Sequence, residues 1–289
     1  MAFSRIYLEI TNCCNLACSF CRGTSRTPAF LTVPQFTALA ERLRGYTRFL
    51  YFHVMGEPLL HPDLPELLRI AGALDFRVVL TTNGTLLPRR QAELLAAPVL
   101  HKVSLSLHSF EANAAADREA YLEGCTAFGL AAAEQGILID YRLWNLDSAS
   151  TRGANTQNEA ILARLHAAYP GEWTRNTWGW RLRDRTFIHY GEKFDWPSPD
   201  APDHGETGTC RALRDQLAVL CDGTVVPCCL DGEGRIPLGN LLTQPLDEIL
   251  SAEPTRSLTA GFARQKRIHP LCRRCGYSAR FNKKGAVSK

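Results

Sequence analysis

Short apolar runs rich in β-formers alternate with longer amphipathic stretches through the first 170 or so residues of this chain. The segment 5–11, RIYLEIT, alternates and predicts a strand. Thr32 followed by Pro34 predicts a helix start, with a helical pattern running to about 44. FLYFHVM at 49–55 predicts a buried strand that ends in Gly56-Glu57-Pro58. A helix is expected over about 62–73, then a strand over 77–84 that ends in Asn83-Gly84, and a helix near 88–97. A strand over 102–109 precedes an Ala-rich helix near 116–134, and a strand over 137–144 precedes a helix over 156–168. Strand followed by helix is the pattern of a parallel β/α barrel or part of one, and equally of a doubly wound open sheet. The polar and cysteine motifs fall at or just past the C-terminal ends of the strands, which in a β/α barrel is the catalytic face.

The pattern changes after about 190. Residues 191–208, GEKFDWPSPDAPDHGETG, are rich in Pro, Asp and Gly and predict a linker between a unit at 1–190 and one at 209–289. LAVLCDGTVVPCC at 217–229 places Asp222-Gly223 between two β-rich runs, a hairpin signal. LGNLL at 238–242, a helical pattern near 245–264 and CRRC at 272–275 follow. Just before the linker, Arg181, Arg183 and Arg185 alternate, so one strand would place them on one face, as an anion clamp or as a solvated edge. His189, Tyr190, Glu192, Lys193 and Asp195 either line a barrel mouth or decorate the linker. His53 and His108 lie in or at the ends of strands, where packing is the commoner role.

Composition sets the chemistry in context. The chain has 289 residues, 45% of them hydrophobic, enough for a sizeable core. A formal net charge of +4 neither demands a nucleic-acid partner nor excludes an anionic substrate. The opening residues carry Glu9 and do not read as a signal peptide, and no run reaches membrane-spanning length, so a soluble, cytoplasmic protein without a membrane partner is expected. Eleven cysteines in such a chain point to metal rather than disulfides. They group in 13–21 and 210–275, with Cys125 apart. Cys14, Cys18 and Cys21 stand as Cys-x3-Cys-x2-Cys with no fourth ligand close by. Three thiolates can hold three corners of a 4Fe–4S cube and leave one iron open to a small chelating molecule. Cys13 falls outside the spacing and reads as a packed thiol.

With Phe20 before the third cysteine, this triplet resembles the signature of the radical SAM superfamily. The resemblance implies a partial parallel (β/α) barrel with a small C-terminal α+β domain. Gly56-Glu57-Pro58 resembles the element that receives the methionine amino group of S-adenosylmethionine (SAM), with Met55 where a glycine usually stands. Thr81, Asn83, Ser104 and Ser106 occupy the region of the ribose and carboxylate contacts, and Arg142 is placed to pair with the methionine carboxylate. From Cys210 onward, Gly223-x4-Cys228, Gly239-Asn240 and Cys272-x2-Cys275 resemble the SPASM or twitch auxiliary-cluster domain. Two fully ligated auxiliary clusters would need more cysteines than the six present, so one auxiliary 4Fe–4S cluster is expected. In a two-residue hairpin Cys221 lies opposite Thr224, and Cys228 is four residues further on, roughly 13 Å away. Cys229 points to the opposite face from Cys228. Cys210, Cys228, Cys272 and Cys275 are therefore the expected ligands, with Cys221 and Cys229 spare. A four-cysteine zinc site stays open on spacing alone.

The resemblance further implies reductive cleavage of SAM to a 5′-deoxyadenosyl radical, with a reduced flavodoxin or ferredoxin-like protein as electron donor. The expected reaction is a two-electron oxidation of a small-molecule or peptide substrate, with the auxiliary cluster as electron acceptor, as in the family's dehydrogenases. A redox-neutral epimerisation with Cys221 as hydrogen donor is the alternative. The basic tail at 280–289 leaves a tRNA-modifying role open without favouring it. The ordered SAM-contact elements argue against a non-catalytic iron–sulfur carrier.

Overall fold

The computed structural model describes residues 3–111, 117–148, 152–153 and 155–282. Through the first half, strands and helices alternate as β1 (Arg5–Leu8), α1 (Val33–Leu43), β2 (Phe49–Tyr51), α2 (Leu64–Ala73), β3 (Arg77–Thr82), α3 (Leu87–Leu95), β4 (Leu100–Leu105), α4 (Arg118–Glu134), β5 (Leu138–Leu146) and α5 (Asn158–Ala168). A meander follows: β6 (Thr174–Asn176), β7 (Gly179–Arg183) and β8 (Thr186–Glu192). The C-terminal part adds β9 (Gln216–Val219), β10 (Thr224–Val226), β11 (Gly239–Asn240), α6 (Leu246–Ser251), α7 (Glu253–Ala263) and α8 (Pro270–Arg273). All strands join one sheet in the order β11-β10-β9-β1-β2-β3-β4-β5-β8-β7-β6. From β9 through β1–β5 to β8 every pairing is parallel, and the two flanks are antiparallel.

The periodicity left a barrel and a doubly wound sheet equally open, and packing separates them. One continuous apolar cluster joins a single face of the sheet to Phe36, Leu39 and Leu43 of α1, Leu67 and Leu68 of α2, Leu94 of α3, Phe128 of α4 and Leu165 of α5. Each such fully buried side chain contributes roughly 1.5–3 kcal/mol. The other face carries a small cluster of Tyr7, Ala218, Leu220 and Val226, with Tyr51, Val54 and Cys229 against it. Helices on one face and polar residues on the other make the second face the inside of a partial barrel.

Local signals hold where they were strong. Thr32 caps α1: its hydroxyl accepts the Gln35 N–H at 3.3 Å, and Gln35 Oε1 accepts the Thr32 N–H at 3.0 Å. The helical pattern at 245–264 splits at Ala252, whose backbone is extended, because Pro254 stands in the first turn of α7 and lacks an N–H. The predicted strand 49–55 is three residues long, since the chain leaves the sheet after Tyr51 to cross beneath the first cysteine loop. The predicted helix start at 116 lies outside the described residues, as does most of the basic tail, residues 283–289.

The meander at 174–192 is the element the periodicity did not predict. Arg181 and Arg183 do lie on one strand, but Arg185 does not share it: it turns between β7 and β8 with φ +55°. Their guanidinium groups serve the outer scaffold. Arg181 pairs with exposed Asp184, Arg183 donates to Leu130 O at 2.9 Å and Arg185 donates to Gly136 O at 3.0 Å.

Candidate active site

The first cysteine loop leaves β1 and is tied down from four sides. Asn12 donates to Thr27 O at 2.9 Å and accepts the Ala29 N–H at 2.7 Å, closing the base of the loop. Cys13 stays at this base, its thiol 3.8 Å from Ala29 O, in keeping with a packed role. The Glu57 N–H donates to Cys13 O at 2.7 Å. Gly56, with φ +75°, passes so close that a Cβ would sit 2.5 Å from Thr11 O and 2.8 Å from Cys13 O. Asn83 donates its side-chain amide to Asn15 Oδ1 at 3.0 Å. Trp196 donates its indole N–H to Phe20 O at 3.0 Å, and Arg22 reaches Pro197 O.

These contacts hold Cys14, Cys18 and Cys21 together, with Cys14 and Cys21 exposed. Partial burial and the neighbouring Glu57, Cys18 and Cys21 push the Cys14 thiol up. Phe20 packs on His108 with ring centroids 5.0 Å apart. His108 donates through Nδ1 to Arg142 O at 2.9 Å, and burial holds it down at about 3. Glu57 is fully buried and points inward: its oxygens accept the Leu59 N–H at 3.0 Å and the Asn83 N–H at 2.7 Å. Burial pushes this acid up to about 7 against those donors.

The inner face of the barrel continues the site. Thr81 lies 3.4 Å from His53 Nε2. Ser104 donates to Asp140 at 3.3 Å. Ser106 opens the short turn after β4, where its carbonyl accepts Ser109 Oγ at 2.7 Å. Arg142 stacks over Trp144, its Cζ 3.6 Å from the ring centroid, and its Nε has no hydrogen-bond partner among the described residues. His53 Nδ1 is likewise unpartnered, and burial beside Arg142 holds His53 down at about 3.

The second cysteine group assembles from distant segments. Cys210 precedes β9, Cys228 follows β10, Cys272 lies in α8 and Cys275 just after it. Burial drives the Cys228 thiol far up, and the thiols of Cys229, Cys210, Cys275 and Cys272 push it further, so these groups are near neighbours. Arg267 is buried against the same segment, donating to Ser278, His204 O and Thr207 O. Among the described residues no three His, Cys, Asp or Glu side chains close on a single metal ion, so the thiols are grouped without converging on one point.

The two remaining cysteines part company. Cys229 reaches the inner face beside Tyr7, on the side opposite Cys228. Cys221, expected beside a turn facing the barrel mouth, is only 5% exposed; its thiol donates to Glu9 O at 3.2 Å and its N–H to the Glu9 carboxylate at 3.1 Å. Its expected pairing with Thr224 shifts by one residue. Val219 faces Val225 and the Leu220 N–H donates to Thr224 O, because Gly223 at φ +83° adds a third residue to the turn. Glu9 was missed as a site residue: it also pairs with Arg26 at 2.7 Å and accepts the Met55 N–H, joining both cysteine regions beneath the surface. A buried carboxylate inside an apolar strand was the available signal. Residues 193–208 touch both cysteine groups, through Trp196 to Phe20 and through Asp195 O, which accepts the Gly276 N–H at 3.1 Å.

A larger surface groove of about 1080 Å³ opens at the opposite end of the strands, lined by Arg44, Arg48, Arg69 and Arg77. It holds none of the cysteine motifs.

Residues 8–128 match the radical SAM superfamily, and residues 210–276 match the iron–sulfur cluster-binding SPASM domain. The chain carries a radical SAM domain followed by a SPASM domain. Its curated relatives include an AdoMet-dependent heme synthase of Methanosarcina barkeri, 37% identical over 102 residues, which are 34% of this chain and 29% of that protein. A GTP 3′,8-cyclase of Chlorobaculum tepidum is 37% identical over 111 residues, 37% of this chain and 33% of that protein. These alignments span about a third of each relative's length. Among solved structures, BtrN in complex with AdoMet and 2-DOIA is similar with a TM-score of 0.56 and 17% identity, over 95% of this chain and 93% of that one. Streptococcus suis SuiB bound to precursor peptide SuiA is similar with a TM-score of 0.64 and 13% identity, over 98% and 74%. At these identities the likeness is one of fold. The radical SAM and SPASM domains imply a SAM-binding 4Fe–4S cluster, SAM and an auxiliary cluster as cofactors. The donor chemistry fits that set: three thiols on one loop, two of them exposed, and four half-buried thiols from separate segments near Arg267.

Proposed function

We propose that this chain is a radical SAM oxidoreductase that removes two electrons and two hydrogens from a small-molecule or peptide substrate. In this reading Cys14, Cys18 and Cys21 hold the SAM-binding cluster, and Cys210, Cys228, Cys272 and Cys275 hold the auxiliary one, within a barrel unit at 1–190 and an auxiliary unit at 209–289. When bound, these groups supply the electron that splits SAM to a 5′-deoxyadenosyl radical and the acceptor for the electron the substrate loses. The chain's own residues bind and orient. Phe20, Gly56, Thr81, Asn83, Ser104, Ser106 and Arg142 line the SAM path, with the unpartnered Arg142 Nε as the donor for the methionine carboxylate. Glu57 acts by shaping the pocket floor, since its oxygens are occupied by backbone donors.

What carries the reading is the division of the thiols. Three sit on one loop, two of them exposed, while four half-buried thiols come together from separate segments, enough to fill every corner of a second cube. A fully ligated cluster suits electron transfer. The epimerase alternative draws no support from Cys221, whose buried thiol is engaged by Glu9. The test is anaerobic reconstitution, reduction and incubation with SAM and cell extract. 5′-Deoxyadenosine together with a product lighter by two hydrogens is expected, and a product of unchanged mass would sink the oxidation.

A further inference from the structure

Along β5, Tyr141 and Leu143 join the apolar cluster under the helices, so Arg142 and Trp144 take the inner face. Arg142 stacks on the Trp144 indole at 3.6 Å, and a second guanidinium approaches the same ring: the Cζ of Arg280 lies 5.1 Å from its centroid. Arg280 opens the basic tail, in the short helix Ala279–Asn282 a few residues after Cys275. It also lies 5.3 Å from the Phe194 ring and 4.7 Å from the Tyr277 ring, and it donates to Glu192 O. Gly191 makes way for the indole, since a Cβ there would sit 2.9 Å from it. Burial holds the Arg142 guanidinium below its usual range, and the Arg280 charge pushes it the same way. The carboxylate that Arg142 feels most is Asp140, already paired with Lys102 at 2.9 Å and with His189 at 2.7 Å. Two buried donors beside these cations, Arg142 Nε and Trp144 Nε1, have no hydrogen-bond partner among the described residues. Two like charges share one indole here, and buried donors stand with them; groups of that kind call for an acceptor from outside the chain.

We propose that Arg280 and the Trp144 indole N–H bind an oxyanion of the substrate, a carboxylate or a phosphate, so that the substrate is an anionic molecule. This rests on the two-electron oxidation proposed above and names its substrate class. The charges decide it. The methionine carboxylate of SAM answers one guanidinium, Arg142, and the second is left without an anion. A guanidinium fork matches the paired oxygens of a carboxylate or a phosphate. An ammonium at the same place would meet two like charges. The aromatic wall also places the oxyanion end of the substrate. The Phe194 ring lies 5.2 Å from that of Trp196, and Trp196 holds Phe20 O of the first cysteine loop at 3.0 Å. Tyr277 stands two residues after Cys275 and packs edge-on against Phe194 at 5.1 Å. An anion gripped by Arg280 is therefore anchored between the two cysteine groups, beside the rings of Phe194 and Tyr277. Arg280 sets specificity in this scheme and takes no part in breaking a bond.

The test uses the reconstituted, reduced full chain with SAM and a cell extract of small molecules and peptides, split at neutral pH on an anion-exchange resin into a retained and an unretained fraction. Wild type is expected to remove two hydrogens from a compound of the retained fraction. Phosphatase treatment of that fraction tells the sources apart: conversion lost marks a phosphate ester, conversion kept marks a carboxylate. With the compound so found, Arg280→Gln should raise KM by about 10–100-fold with kcat held, the worth of a hydrogen bond to a charged group. Arg280→Lys should recover part of that loss. Trp144→Phe, which keeps a ring for the stack but has no N–H, should raise KM by about 3–10-fold. The wild-type KM should climb with ionic strength, and the Arg280→Gln KM should climb less. Iron content equal to wild type shows that the variants fold. Wild-type KM in Arg280→Gln, or a substrate in the unretained fraction, overturns this inference and leaves the oxidation standing. Absence of 5′-deoxyadenosine, or its formation with no loss of two hydrogens in either fraction, overturns the proposed function and this inference with it.

Discussion

Glu57 and Asn83 are joined across two strands: the buried carboxylate of Glu57 accepts the backbone N–H of Asn83 at 2.7 Å. Asn83 in turn holds Asn15 of the cysteine loop through its side chain at 3.0 Å. A single carboxylate thus couples the ends of β2 and β3 to the loop that carries the first three thiols. Glu57→Gln keeps one acceptor oxygen but turns an NH₂ toward a backbone N–H. It should destabilise the protein by about 1–3 kcal/mol, the cost of a buried group left unsatisfied. SAM affinity should fall roughly tenfold, which corresponds to about 1.4 kcal/mol. Thermal melts and SAM titrations check this; an unchanged melting point and unchanged affinity would show that the carboxylate does not organise the pocket.

Gly56 and Gly23 both have positive φ, yet only Gly56 is crowded. Gly56→Ala should force the cysteine loop away from Thr11 and Cys13 and cost the first cluster, leaving about four irons of about eight. Gly23→Ala, with nothing within 4 Å of its Cβ, should keep the full iron content. Equal iron in the two variants would mean that the close approach at Gly56 is not what shapes the loop.

The ligand assignment predicts an iron count for each cysteine. Replacing Cys14, Cys18 and Cys21 together by Ala should leave one 4Fe–4S cluster. Cys221→Ala and Cys229→Ala should each retain both. Metal analysis and Mössbauer spectroscopy decide, and one equivalent of zinc in the native protein would defeat the auxiliary cluster.

His108 is held neutral, at about 3, by burial first and by the Arg142 charge second. Its unfolded counterpart binds a proton below about 6.5. The folded state therefore binds fewer protons in that window, and stability is present above about 6.5 and lost as pH falls. His108→Asn removes the linkage. Melts of the reconstituted protein between about pH 5 and 7 should show a shallower acid decline for the variant. Parallel curves would mean that His108 is protonated in place.

The alternation of strand and helix, the start of α1 at Thr32 and the turn at Asp222-Gly223 were legible because each is local. A cap, a turn or a period is complete within a few residues, and its energy does not await the rest of the fold. The grouping of cysteines was legible for a related reason: thiol spacing on one loop limits which metal centre can be gripped. The aromatic, Arg-rich stretch at 174–192 has short strands and no turn dipeptide to announce them. β8 becomes a barrel strand only because β5 offers it an edge.

Tertiary structure alone decided what those pieces meet. β9 lies beside β1, so Cys221 and Glu9 touch across more than two hundred residues of chain. Lys102 and Asp140 are unremarked polar letters, and His189 reads only as a residue of the barrel mouth or the linker, until the register of three separate strands sets them side by side. A slip of one residue in β5 would turn Asp140 to the helical face, because side chains alternate strictly along a strand. Residue types and short-range spacing are properties of the chain itself. Which strand edges pair, and in which register, is settled by burying one apolar face against five helices, and that is a property of the whole fold.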